Sequence, residues 1–344
     1  MKKRLLLLGS LTLVIALALQ HVWQWWQQPF PGQRNVLLTI NSGSSVQSVA
    51  LTLSDLGALR YPALWQLVTR GKGLDNQIKR GEYQLGSDLS PAQLLQVLVA
   101  GRVVQYSVTL PEGITVADAI AILQAQPQLR HSLSAATDPR LLALVQPQAS
   151  AEGLFFPDTY HFVRDDSDYS VLRQARQRMQ KVLHEVWAEG HEHLPYQTPY
   201  ELLIMASIVE KETGLAAERE RIAGVFVRRL QQGMRLQTDP TVIYGLGASF
   251  NGNLRRRHLE DSGNLFNSYR HHGLPPTPIA LPGLAALRAA LHPAGGSELY
   301  FVARGDGSHV FSDTLEQHQQ AVKNFQLKRV SNYHSAPDKG NATQ

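Results

Sequence analysis

The chain has 344 residues, of which 43% are hydrophobic and 18% charged, and its formal net charge is +5. This length and composition suit two folded domains with appendages and exclude a disordered polyelectrolyte. Because the chain has no cysteine, disulfides, thiolate catalysis, lipoprotein acylation and cysteine-bound zinc are excluded as well. The positive charge favours an anionic partner, whether lipid head groups, cell-wall polymer or nucleic acid.

Residues 1–28 predict a cytoplasmic tip and a transmembrane anchor. A basic tripeptide at residues 2–4 precedes an uncharged run over 5–19, and tryptophans follow at 23, 25 and 26. A helix from Leu5 to Trp26 would span roughly 33 Å, enough for a bilayer core. The basic flank predicts a cytoplasmic N-terminus, and the tryptophans match an interfacial belt. A cleaved signal peptide is the alternative, because Ala16-Leu17-Ala18 resembles a cleavage site. In both cases the rest of the chain is exported, which argues against nucleic acid.

A compact unit is predicted at residues 36–104, after a Pro/Gly/Gln linker at 29–35. Its pattern indicates, in order, a strand, two helices, a second strand and a third helix, over 36–40, 46–56, 61–69, 78–85 with a kink at Gly81, and 90–101. This βααβ order resembles a LysM-like module, which implies binding of glycans that contain N-acetylglucosamine. The alternative is a small α+β domain that only spaces the later part of the chain from the membrane.

Residues 105–330 predict a mixed α+β domain, followed by a disordered tail at 331–344. Its first half indicates a strand at 103–110, a helix after Thr115 and a long helix at 169–189. The aromatic run AEGLFFPDTYHF lies between them, and its rings could stack on a sugar, although a buried aromatic cluster is the commoner explanation.

The sequence TPYELLIMASIVEKETG, residues 198–214, predicts the helix around which this domain is built. Thr198 can cap it, Pro199 suits its first position, Glu201 completes a capping box and Gly214 can end it. The residues from 202 to 209 are apolar on almost every side, so the helix is expected to be buried.

Two acids end this helix, and helical periodicity separates them. Glu212 falls in line with Met205, Ile208 and Val209, on the apolar side, whereas Glu210 falls on a smaller and more polar strip. A carboxylic acid at an apolar pocket has a raised pKa and can stay protonated near neutral pH, as a general acid must. The alternative is that both acids are solvated charges at a helix end.

The second half of the domain offers candidate substrate contacts. Gln237, Thr238 and Asp239 are polar groups in a tight turn before a proline, between apolar flanks, and indicate the wall of a site. Asn267 and Tyr269 open a proline-rich loop that is too long and rigid for a simple connector. The remaining pattern predicts helices at 218–232, 284–291 and 314–326, and a hairpin of strands 299–303 and 307–312 across RGDG.

Seven motifs together resemble the endolytic murein transglycosylase (YceG-like, MltG) family: MASIVEKETG, RLQTDPTVIYG, FPDTY, NSY with GLPPTPI, HPA, LYFVA and HVFSDTLEQH. The resemblance implies a membrane-anchored lytic transglycosylase, a carbon–oxygen lyase that cleaves the MurNAc–GlcNAc β-1,4 bond within nascent peptidoglycan. The family's catalytic acid falls on Glu212, with Glu210 beside it as a further binding candidate. One departure is Thr277, where the family pattern leads us to expect glycine.

The same resemblance implies that cleavage leaves 1,6-anhydroMurNAc ends and terminates glycan elongation. It places the chain in the cell inner membrane as a single-pass protein with a periplasmic catalytic domain, in contact with membrane lipids and with peptidoglycan synthases.

Other functions stay open from the residues alone. A hydrolytic muramidase would use a second carboxylate, for which Asp239 is the candidate, and a non-catalytic scaffold would bind peptidoglycan only. Metal catalysis is not expected, because the best cluster lacks His-Glu-x-x-His spacing; its members are His184, Glu185, His191 and His193. No cofactor is predicted, since no glycine-rich phosphate loop precedes a helix.

Overall fold

The computed structural model describes residues 2–29, 34–190 and 193–325, and side chains from residue 10 onward. It divides into two compact units. The first comprises the described parts of Met1–Ser107, with Pro127–Arg130 and His161–Asp166. The second comprises the described parts of Val108–Gln126, His131–Tyr160 and Ser167–Gln344. The predicted tail at 331–344 and most of the predicted linker lie outside the described residues.

The chain begins with helix α1 (Lys2–Gln27). Trp23 is exposed, but Trp25 and Trp26 are buried in the core of the first unit. The ring of Trp25 packs edge-on against Tyr61, with 5.8 Å between centroids. The predicted interfacial belt is therefore wrong for these two tryptophans, because their rings pack against protein. Within the described residues, no helix combines the length and the apolar character that crossing a membrane requires, so the predicted transmembrane anchor is not confirmed.

The first unit contains the predicted βααβ order. Its elements are β1 (Val36–Ile40), α2 (Val46–Asp55), α3 (Pro62–Gly71), β2 (Gly81–Leu85) and α4 (Pro91–Ala100). Strands β1 and β2 pair antiparallel, with Val36 opposite Leu85. Strand β2 begins at Gly81 rather than at residue 78, since its pairing with β1 ends at Gly81 opposite Ile40. Glycine suits this position, because its φ is +133° and a Cβ there would lie 2.6 Å from Val103. The element order is confirmed, while the LysM-like identity stays a prediction.

The next elements are β3 (Tyr106–Thr109), α5 (Val116–Gln124), α6 (Pro139–Val145), β4 (Thr159–Phe162) and α7 (Asp168–Trp187). Strands β3 and β4 form a two-stranded sheet. Thr115 caps α5 by accepting from the Asp118 amide, as its position predicts.

The second unit is built around helix α8 (Pro199–Glu212), in which every residue from Leu202 to Val209 is buried. Helix α8 packs against α7 and against two later helices, α9 (Arg219–Gln231) and α12 (Leu284–Leu291). Thr198 caps α8 by accepting from the Glu201 amide. The predicted reciprocal half of the capping box is wrong, since the Glu201 carboxylate accepts from the Gln197 amide instead.

The remaining elements complete a mixed α+β fold. They are α10 (Asp239–Leu246), α11 (Arg256–Glu260), β5 (Tyr300–Ala303), β6 (His309–Ser312) and α13 (Leu315–Phe325), with short 3-10 helices at Ala216–Glu218 and Gly247–Ser249. Strands β5 and β6 form the predicted hairpin, with Tyr300 opposite Ser312. The fold class predicted from sequence is thus confirmed in its mixed α+β character.

Candidate active site

Glu212 is the last residue of α8 and is half-buried. Burial of the carboxyl raises its pKa to about 7, and the nearby charge of Asp239 acts in the same direction. The Thr238 hydroxyl donates to Glu212 Oε1, which opposes the rise in part. Because Oε1 accepts this bond, Oε2 is the oxygen left to carry and transfer a proton. The helix thus presents an acid that is partly protonated at neutral pH.

The turn that carries Thr238 is held by the loop around Ser268. The Gln237 amide donates to the Ser268 carbonyl at 3.1 Å, and the Thr238 amide donates to Ser268 Oγ at 2.9 Å. Thr241 Oγ1 donates to the Thr238 carbonyl at 2.8 Å. Thr238 is 2% exposed, so its hydroxyl is fixed against Glu212 and cannot rotate freely into solvent. We infer that Thr238 orients the acid rather than reaching a sugar.

Asp239 and Tyr269 form a hydrogen-bonded pair beside this turn. Asp239 is exposed at the start of α10, and Tyr269 Oη donates to its Oδ1 at 2.7 Å. Burial and the carboxylate of Asp239 both raise the pKa of Tyr269, so this hydroxyl remains a donor at neutral pH. The bond leaves Asp239 Oδ2 available on the exposed side.

Asn267 shapes the loop from within. It is fully buried, and its Nδ2 donates to the carbonyls of Asp261, His258 and Leu259 at 2.7, 3.1 and 3.2 Å. Its Oδ1 accepts from the Tyr269 amide at 3.1 Å. Because Asn267 is fully buried and its amide is engaged in these bonds, we infer that it positions Tyr269 rather than contacting a sugar.

Glu210 lies apart from this cluster. Its Oε2 accepts from the Gly283 amide at 3.0 Å, and burial raises its pKa, with the Glu112 carboxylate acting in the same direction. The two acids of α8 therefore serve different neighbours, as a separation of about 160° around the helix requires. Of the sequence candidates, the structure groups Glu212 with Gln237, Thr238, Asp239 and Tyr269.

Sequence reasoning missed Glu152, which is 6% exposed. It accepts from the Val116 amide at 3.1 Å and from Tyr244 Oη at 3.1 Å, and burial raises its pKa to about 7. The available signal was its position in the aromatic run AEGLFFPDTYHF, which holds only two acids, Glu152 and Asp158. Because it caps α5 and holds Tyr244, Glu152 is a buried structural link within the second unit.

Two open cavities occur elsewhere in the second unit. One of about 570 Å³ is lined by residues including His193, Arg228 and His292, and another of about 910 Å³ by residues including Arg221 and Phe311. Neither includes Glu212, so the site is identified by the chemistry of its side chains and not by cavity size. Across the part of the chain that the structure describes, no three or more His, Asp or Glu residues group so as to hold a metal ion.

Known proteins are similar to the chain over most of its length. The chain is 29% identical over 308 residues to an endolytic murein transglycosylase of Bacillus subtilis, covering 84% of each chain. It is 28% identical over 325 residues to an endolytic murein transglycosylase of Streptococcus pneumoniae, covering 84% of this chain and 58% of the relative.

A solved structure shares the fold. The crystal structure of a yceG-like protein from Listeria monocytogenes matches with a TM-score of 0.54 at 27% identity, covering 83% of this chain and 98% of that one. The pattern that defines the YceG-like family matches residues 38–324, which include parts of both units and every candidate site residue named above. These matches confirm the resemblance drawn from the motifs: the chain belongs to the YceG-like family.

Proposed function

We propose that the chain is a lytic transglycosylase that cleaves the MurNAc–GlcNAc β-1,4 bond within peptidoglycan strands. The observation that carries the proposal is Glu212, a single carboxyl with a pKa of about 7 that is held at the end of a buried helix by Thr238. Such a group can act as an acid and, once ionised, as a base at the same pH. The relatives named endolytic murein transglycosylase support cleavage inside strands.

The reaction needs only this one carboxyl. Glu212 protonates the glycosidic oxygen, and the bond from that oxygen to C1 of MurNAc breaks. The Glu212 carboxylate then takes the proton from the C6 hydroxyl of the same sugar while the C6 oxygen bonds to C1. The product has a 1,6-anhydro end, and no water is consumed. Because the nucleophile is already attached to the sugar, its effective concentration can far exceed that of a solute.

A hydrolytic muramidase is the second candidate, and Asp239 is the observation that favours it. Its exposed carboxylate lies next in the chain to the residue that holds Glu212, so it could activate a water molecule. Mass spectrometry of products from purified glycan strands separates the two reactions. We expect ends with the mass of the anhydro sugar; ends heavier by one water would show hydrolysis and overturn the proposal.

Residues 36–104 are proposed to bind glycan strands and residues 105–330 to cleave them. The supporting observation is the βααβ order of β1, α2, α3 and β2. We expect that deleting 36–104 weakens sedimentation with insoluble peptidoglycan while cleavage of soluble strands persists. Thermal unfolding checks that the remainder is folded. Unchanged sedimentation would reduce this segment to a spacer.

The substrate also determines where the protein works. Peptidoglycan lies outside the cytoplasmic membrane, so the proposal requires Glu212 to be exported. Termination of nascent strands would bring the chain close to peptidoglycan synthases. Location and partners can be tested together by cross-linking in cells and identifying the captured proteins; capture of cytoplasmic proteins alone would contradict both.

A further inference from the structure

Arg229 is a buried arginine that the proposed reaction does not yet use. It lies in the last turn of α9 and is 6% exposed. Its Nη1 donates to the carbonyls of Leu236 and Arg235 at 2.8 and 3.1 Å, and to Gln237 Oε1 at 3.2 Å. Its Nε donates to the Leu299 carbonyl at 2.6 Å, next to β5. One guanidinium therefore fixes three consecutive residues of the turn that leads to Thr238.

This contact determines how the side-chain amide of Gln237 is oriented. A guanidinium has donors only, so the atom of Gln237 that faces Arg229 must be the carbonyl oxygen. The NH2 group is consequently directed away from Arg229, and Gln237 is exposed. The Gln237 backbone has φ +54°, an uncommon conformation for a residue other than glycine. The hydrogen bond from the Gln237 backbone N–H to the Ser268 carbonyl holds the backbone in this conformation.

The oriented amide stands at the edge of the acid site. Gln237 directly precedes Thr238, whose hydroxyl donates to Glu212, and Asp239 follows. An exposed donor held in a strained backbone conformation indicates a functional constraint, because a relaxed turn would serve if the residue were only a connector. The neutral donor suits a neutral acceptor oxygen, such as an amide carbonyl.

We propose that Gln237 Nε2 donates to the acetamido carbonyl oxygen of a sugar bound beside Glu212, and that Arg229 is the positioning residue that holds Gln237 for this contact. The inference rests on the proposed function for the substrate class. It assigns Gln237 to binding rather than to proton transfer, so its loss should raise KM and leave kcat largely unchanged.

Gln237→Glu tests the donor. The carboxylate can still accept from Arg229, so the turn stays held, but the NH2 group is gone. We expect KM for strand cleavage to rise about tenfold, the effect of one lost hydrogen bond, with kcat within about threefold and thermal stability unchanged or higher. A KM in this variant equal to that of the unsubstituted protein would overturn the proposal.

Arg229→Lys and Arg228→Lys test the positioning. Lysine cannot reproduce the planar fork, so Arg229→Lys should raise KM, and adding Gln237→Glu should raise it no further. Arg228 is the matched control, because it donates to the Ala294 and Glu298 carbonyls and to the Glu298 carboxylate, and not to the turn. Equal changes in KM for the two single variants, or additive effects in the double variant, would contradict positioning.

De-N-acetylated glycan fragments identify the acceptor when used as competitors of cleavage. They should inhibit Gln237→Glu at least as strongly as the parent, because their free amine is cationic and the new carboxylate attracts it. N-acetylated fragments should inhibit Gln237→Glu about tenfold more weakly than the parent. A preference for the parent with both kinds of fragment would place the acceptor elsewhere on the sugar. Product masses test the type of reaction, whereas KM values and inhibition by the fragments test the role of Gln237. The two proposals can therefore fail separately.

Discussion

Glu212→Gln is expected to abolish strand cleavage, with a loss of about 100-fold to 10,000-fold, the range for removal of a general acid. Glutamine keeps the shape of the side chain and can still accept from the Thr238 hydroxyl, but it cannot transfer a proton. Binding of strands should therefore persist. The rate of cleavage and the affinity for strands, measured on the same preparation, check both parts.

Glu210→Gln is the matched control on the same helix. Its carboxylate accepts from the Gly283 amide and lies outside the Glu212 cluster, and glutamine can keep that bond through its carbonyl oxygen. We expect cleavage to stay within a few-fold of the parent. A folded and inactive Glu210→Gln beside an active Glu212→Gln would contradict the assignment of the acid.

Thermal unfolding of Glu212→Gln provides an internal check with a definite sign. The unfolded acid ionises near the ordinary value of 4.5, and the folded one near 7. Between these values the native state binds more protons, so the free energy of unfolding falls as pH rises through that window. Glutamine does not ionise, so the free energy of unfolding of the variant should lack this part of the fall with pH. Above pH 7 the variant should therefore be no less stable than the parent.

The second large effect is on the pH dependence of cleavage. Glu212 must carry its proton when the substrate arrives, and its pKa is about 7. The protonated fraction falls tenfold for each pH unit well above that value, so kcat/KM should decline with the same slope between about pH 8 and 10. A profile of initial rates in buffers of constant ionic strength measures it.

Asp239→Asn should move this decline to lower pH, because the charge of Asp239 is one of the causes that raise the pKa of Glu212. The matched control is Glu185→Gln, which removes an exposed charge on α7 that pairs with Lys181. Glu185→Gln should leave the midpoint of the pH profile of kcat/KM unchanged. A midpoint that moves equally in both variants would mean that net charge, and not the neighbouring carboxylate, controls the acid.

Local pattern was enough to find α8 and its acid. Thr198, Pro199 and the apolar run that follows are local signals, and the helical period separates Glu212 from Glu210 without knowledge of the fold. The turn at Gln237 to Asp239 was found as a polar interruption between apolar flanks.

What the sequence could not show depends on contacts between distant segments. Asn267 looked like a sugar contact because an amide in a loop is usually exposed, whereas three carbonyls of the preceding segment bury it. Arg229 lies at a helix end, where an arginine needs no further explanation, and its bonds to Leu299 and Gln237 follow only from the packing of α9. Trp25 and Trp26 suit a lipid interface equally well by sequence, but in the structure Trp25 packs against both Tyr61 and Trp26.

The position of Glu212 at the carboxyl end of α8 has a consequence for the second half of the reaction. The peptide dipoles of a helix sum to a partial negative charge at that end. This field disfavours the ionised carboxylate of Glu212, as burial does. Once the proton has left, the carboxylate is therefore a stronger base than an ordinary carboxylate, and in the proposed reaction it deprotonates the C6 hydroxyl. A carboxyl in a more favourable field would give up its proton more readily and recover it more reluctantly. In the proposed reaction, the negative end of the helix thus balances the two proton transfers assigned to this one side chain.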